Sequence, residues 1–152
     1  MNARRIAAVI GLALATHPSA FAGVLDPLMS GDVRVATHLR EIDGSALAAL
    51  EHQFRDEHRI ADHGAPFQST DVVMPGRPPW RRLIIAAVSG ETWFVHYEHG
   101  GIGLHSHLVA LTRSGRSWRV AFSGTAFYPY DTLPKLRDAI RSHKFREQSY
   151  EL

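Results

Sequence analysis

The chain has 152 residues, with 17 Lys+Arg, 15 Asp+Glu, ten histidines and no cysteine. That length suffices for one hydrophobic core and hardly for two, and without cysteine the fold has neither disulfides nor a thiol nucleophile. The formal charge of +2 vanishes once Arg4 and Arg5 are set aside with residues 1–22, so a global attraction to nucleic acid or to an anionic membrane has no support.

The opening "MNARRIAAVIGLALATHPSAFAG" has a basic start, an apolar stretch from Ile6 to Ala15 and a small-x-small end at Ala20-Phe21-Ala22. This pattern predicts a signal peptide over 1–22, cleavage before Gly23, and export to the periplasm or medium. The apolar run of about ten residues falls short of the roughly 20 needed to span a bilayer, so stable membrane insertion is not expected. No cysteine follows the cleavage site to carry a lipid anchor. Residues 23–152 are expected to form a single α+β domain.

Residues 24–42 are ambiguous between helix and strand. In "IDGSALAALEHQFRDEH", Asp43 or Ser45 can cap a helix whose Leu47, Leu50 and Phe54 fall at helical spacing, which predicts a helix over Ser45–His58. Residues 62–80 hold Pro66, Pro75, Pro78, Pro79, Gly64 and Gly76 and read as a long connection, with a short extended piece at Val72–Met74. Its last part, "RPPWRR", reads as a solvated start to a strand, a small anion patch, or an interface anchor built on Trp80.

From Arg81 to Gly124, four runs of β-branched and aromatic residues are separated by Ser89-Gly90, Gly100-Gly101 and Ser114-Gly115. These are turn dipeptides at hairpin spacing, and they predict a four-stranded antiparallel meander. "DTLPKLRDAIRSHKF" then predicts a C-terminal helix capped by Asp131 or Thr132, with Pro134 in its first turn and Leu133, Leu136 and Ile140 on one face. The expected fold is α+β, a four-stranded antiparallel meander packed against an N-terminal and a C-terminal helix. In element order alone this resembles cystatin-like and NTF2-like folds, and the resemblance implies no activity and no site residue.

The stretch "VHYEHGGIGLHSHL", residues 95–108, holds four of the histidines. With Gly100-Gly101 as a two-residue turn, His96 faces His105, Phe94 faces His107 and Glu98 faces Gly103. His96, Glu98, His105 and His107 then share one face, the core face that also holds Leu83, Ile85, Phe94, Val109, Leu111, Trp118, Val120 and Phe122. The opposite face, with Trp93, Val95, Tyr97 and Ser106, is more mixed. A four-residue loop keeps this parity, whereas a three-residue loop moves His96 to the other side. His99 falls in or beside the turn and is the member least suited to ligation.

Three imidazoles so placed can bind Zn²⁺ or Cu²⁺ and leave a position for water or Glu98. The bland alternative is a set of ordinary hydrogen-bonded histidines at a sheet end. Paired histidines can also serve as base and acid in a metal-free hydrolase, although strand alternation points Ser106 away from them and no G-x-S-x-G, P-loop, dinucleotide fingerprint or H-E-x-x-H is present. Phe127, Tyr128 and Tyr130, with Trp80, either anchor an interface or seal the core edge. The reading that demands least special chemistry is a small exported non-enzymatic binding protein of inhibitor, immunity or carrier type, with a protein or a small apolar ligand as partner. Divalent-metal binding and metal-free hydrolysis are the alternatives.

Overall fold

A computed structural model describes residues 22–55, 59–72 and 75–148. The predicted signal peptide lies, apart from Ala22, outside the described residues, as do the end of the predicted helix 45–58 and the end of the extended piece 72–74. No helix among the described residues is long and apolar enough to cross a membrane.

In chain order the elements are α1 (Ala22–Ser30), β1 (Arg34–Ala36), a 3-10 turn (Leu39–Glu41), α2 (Gly44–Glu51), β2 (Arg81–Ser89), β3 (Thr92–His99), β4 (His105–Ser114), β5 (Ser117–Ala126), α3 (Leu133–Arg141) and β6 (Arg146–Glu147). The strands form one six-stranded antiparallel sheet in the order of the sequence. The expectation of a four-stranded meander with two helices is therefore corrected. The short strands β1 and β6 add an edge on either side, and a third helix, α1, precedes the sheet. Both were hidden for the same reason: segments of three and two residues are too short to show alternation.

The sheet is covered on both faces. On one side Ala46 and Leu50 of α2, with Phe54 just beyond its end, pack on Leu83, Trp93, Val95, Tyr97, Val109 and Leu111. On the other, Leu28 of α1 and Leu136 of α3 pack on Ile84, Ile85, Phe94, Leu108, Ala110 and Phe122. The expected single core face is thus divided between two. Ile85, Phe94 and Phe122 lie on one side, and Leu83, Val109, Leu111, Trp118 and Val120 on the other. Register irregularities between Leu83 and Ile85 and between Ala110 and Leu111 are one physical cause, because an extra residue in a strand reverses the parity of all that follow.

The main correction concerns the central hairpin. Tyr97 pairs with His107, Glu98 with Ser106 and His99 with His105, so Gly100 to Leu104 form a five-residue loop rather than a two-residue turn. The two glycines serve different ends. Gly101 takes φ +128°, whereas a Cβ on Gly100 would lie 1.8 Å from the Gln68 carbonyl oxygen. Gly100 is the place where the long connection crosses the hairpin end. Three contacts hold the connection's described parts: Ala61 bridges to β2, the Gln68 N–H donates to the Pro79 carbonyl (2.8 Å), and the Gly100 N–H donates to the Trp80 carbonyl (2.9 Å).

Helix α2 starts as expected, with the Asp43 carboxylate accepting from the Ser45 and Ala46 N–H groups. The Trp118 indole donates to the Ser45 hydroxyl (2.8 Å), which ties β5 to this cap. The helix is shorter than predicted and ends at Glu51; Phe54 still reaches the core, from the turn that follows. Helix α3 occupies 133–141 with Thr132 at its N-cap. The Arg137 guanidinium donates to the Leu28 and Gly31 carbonyls, capping the end of α1 and joining the two helices of that face.

Candidate metal centre

The five-residue loop decides which histidines meet. His96 and Glu98 alternate onto the α1/α3 face of β3, while His99, paired with His105, lies on the α2 face together with His107. The expected grouping of His96, Glu98, His105 and His107 on one face therefore does not form. His105 and His107 stay together, and His99 takes the place expected for His96. The ligating nitrogens of His99, His105 and His107 all lie within 4.8 Å of one another. Their ring centroids are 4.8 Å (His105–His107), 5.3 Å (His99–His105) and 5.7 Å (His99–His107) apart.

His107 is the buried member, with 5 % of its surface exposed. Its ring stacks on Tyr97 at 5.0 Å and 9°, and neither ring nitrogen has a hydrogen-bond partner among the described residues. Leaving buried polar nitrogens unsatisfied costs about 1–3 kcal/mol each, a cost that a bound ion or another hydrogen-bonding group at this position would relieve. Burial, helped by the neighbouring His105, His99 and Arg81, lowers its pKa from 6.5 to about 3. The imidazole is therefore neutral near pH 7, the state that donates a lone pair to a metal rather than holding a proton.

His105 and His99 are half-buried at the rim. His105 Nδ1 lies 2.9 Å from the Gly103 carbonyl. A carbonyl only accepts, so Nδ1 carries the proton and Nε2 is left with a free lone pair, the usual support of a metal-bound imidazole. Tetrahedral Zn²⁺ with bonds near 2.0–2.1 Å asks for ligand nitrogens about 3.3 Å apart, and side-chain rotation at the two rim residues can close the difference.

The other sequence-singled residues have different work. His96 is fully buried; its Nδ1 donates to the His107 carbonyl (2.7 Å) and its Nε2 accepts from the Tyr130 N–H (3.0 Å). Glu98 is held by Arg82 at 2.6 Å, with that guanidinium also lying over Phe67. Ser106 donates to the Tyr128 carbonyl (2.7 Å), on the side away from His107. Tyr130 stacks on His96 and packs toward Phe145, sealing the core, whereas Phe127 and Tyr128 are exposed and Trp80 is half-buried against the hairpin end. His99 is the member of this cluster that the sequence alone disfavours. A signal for it existed in Gly103, a poor strand residue two places beyond the Gly-Gly pair, which favours a longer loop. Comparison of the chain with protein-family models, with curated proteins and with solved structures finds no match, so the chemistry of this site rests on its own geometry.

Proposed function

We propose that this protein binds a divalent transition-metal ion, Zn²⁺ or Cu²⁺, through the imidazoles of His99, His105 and His107. The observation that supports it best is the buried His107 ring, neutral and without hydrogen-bond partners among the described residues, converging with two rim imidazoles whose nitrogens are within 4.8 Å. Borderline and nitrogen-preferring ions suit an all-imidazole set, and three ligands leave an open position for a further donor. With export as the opening segment predicts, the ion would be drawn from the periplasm or medium.

Calorimetric titration of the untagged protein with Zn²⁺ and Cu²⁺ tests this reading. The expected result is one site of micromolar strength or better, lost in both His105→Ala and His99→Ala, which alter half-exposed residues and should leave the fold intact. His96→Gln, on the other face, should retain binding. Absence of saturable binding, or binding indifferent to His99 and His105, overturns the proposal.

A further inference from the structure

A concavity of about 600 Å³ opens between the β3–β4 loop and the segment that follows α3. Its apolar wall is made by Leu104, Ala126 and Phe127, and its facing wall by Lys144 and Arg146. His105 belongs both to this pocket and to the imidazole cluster.

The chain places the cations there by two local devices. After α3, the His143 N–H donates to the Ile140 carbonyl and the Lys144 N–H to the Ala139 carbonyl, with His143 at φ +51°. This left-handed cap turns the chain back toward the sheet. The chain then runs extended, with Arg146 paired to Thr125 and the Gln148 N–H bonded to the Ser123 carbonyl. Alternation sends Lys144, Arg146 and Gln148 to the pocket, while Phe145 packs toward the core beside Gly124, where a Cβ would meet it at 3.3 Å.

The pocket thus pairs two cations with exposed apolar side chains; Phe127 is 86 % and Leu104 47 % exposed. No carboxylate is among the described residues that line it. We infer that it binds a small monoanion with an apolar body, of the medium-chain carboxylate class, the carboxylate held by Lys144 and Arg146 and the hydrocarbon covering Leu104, Ala126 and Phe127. Charge complementarity selects an anion over a neutral or cationic amphiphile, and the volume lies within the range of small-ligand sites. The site requires no metal, so it goes beyond the metal-binding reading, and the shared His105 makes the two sites neighbours.

The test is calorimetry on the metal-free full chain with octanoate, 1-octanol and octyltrimethylammonium as probes. Octanoate is expected to bind saturably at one site, with octanol at least tenfold weaker and the cationic probe weaker still. The double variant Lys144→Gln/Arg146→Gln alters only exposed side chains. It should weaken octanoate at least tenfold while leaving the zinc isotherm unchanged. No saturable octanoate binding, equal affinity for the three probes, or insensitivity to the charge removal overturns the inference. Failure of zinc to bind while octanoate still does would sink the metal reading alone.

Discussion

At the scale of single residues, His96 and His107 show how one residue type takes opposite roles on adjacent strands. His96 has both nitrogens satisfied, by the His107 carbonyl and the Tyr130 N–H, and it acts as a buried joint between β3, β4 and the chain leading into α3. Burial lowers its pKa from 6.5 to about 4, with the His107 carbonyl opposing the shift. Protonation would cost the Tyr130 bond, since an imidazolium cannot accept. Because the folded pKa is below the unfolded one, the unfolded chain binds more protons between about pH 6.5 and 4. This contribution to stability is therefore complete above pH 6.5 and declines as the pH falls, by about 3 kcal/mol at full extent. His107 shifts in the same direction. Urea unfolding with chelator present should give a clearly lower midpoint at pH 4.5 than at pH 7.5, and His96→Leu should flatten that slope. Equal midpoints for the unaltered protein would contradict the burial of these rings.

At the scale of elements, the local chemistry was legible where a side chain and its backbone partner are close in sequence. Asp43 caps α2 through its carboxylate, Thr132 holds the N-cap position of α3 with Pro134 in the first turn but without a side-chain cap bond, and Gly90 and Gly115 take positive φ in two tight turns. The end of α3 was less legible, because its left-handed cap residue is histidine rather than glycine. A side chain with a Cβ is strained there, and glycine is the residue the motif prefers. His143→Gly should accordingly raise stability by about 0.5–1 kcal/mol, the relief of strain exceeding the added freedom of the unfolded chain. Thermal or urea unfolding would detect it, and a destabilised variant would mean that the His143 side chain makes contacts worth more than its backbone costs. The central hairpin was illegible for a different reason. Its register depends on a loop length that Gly100-Gly101 suggests wrongly, and Gly100 answers to Gln68, thirty-two positions away, a contact no local pattern reveals.

At the scale of the molecule, the two-sided core was partly written in the sequence. "LIIAAV", 83–88, is a nearly continuous apolar run, the mark of a strand buried on both faces, and it argues against one mixed face. What the run could not tell was which helix covers which side, since that follows from the register irregularities and from α1. The same layering makes the metal proposal testable on global stability. Its three ligands come from both strands of the central hairpin, so an ion bound there favours the folded state by mass action. At free Zn²⁺ one hundred times the dissociation constant the gain is about 2.7 kcal/mol, a rise in midpoint temperature of roughly 5–10 °C for a chain of this size. The unfolded chain also offers imidazoles, ten in the full sequence, and zinc held by them would erode the gain. His105→Ala separates the two effects. It removes one ligand from the folded site and leaves nearly all the imidazoles of the unfolded chain, so zinc should no longer stabilise it and should destabilise it slightly. A rise of equal size in the variant and the unaltered protein would place the ion elsewhere, and no rise in either would remove the metal from the account of this hairpin.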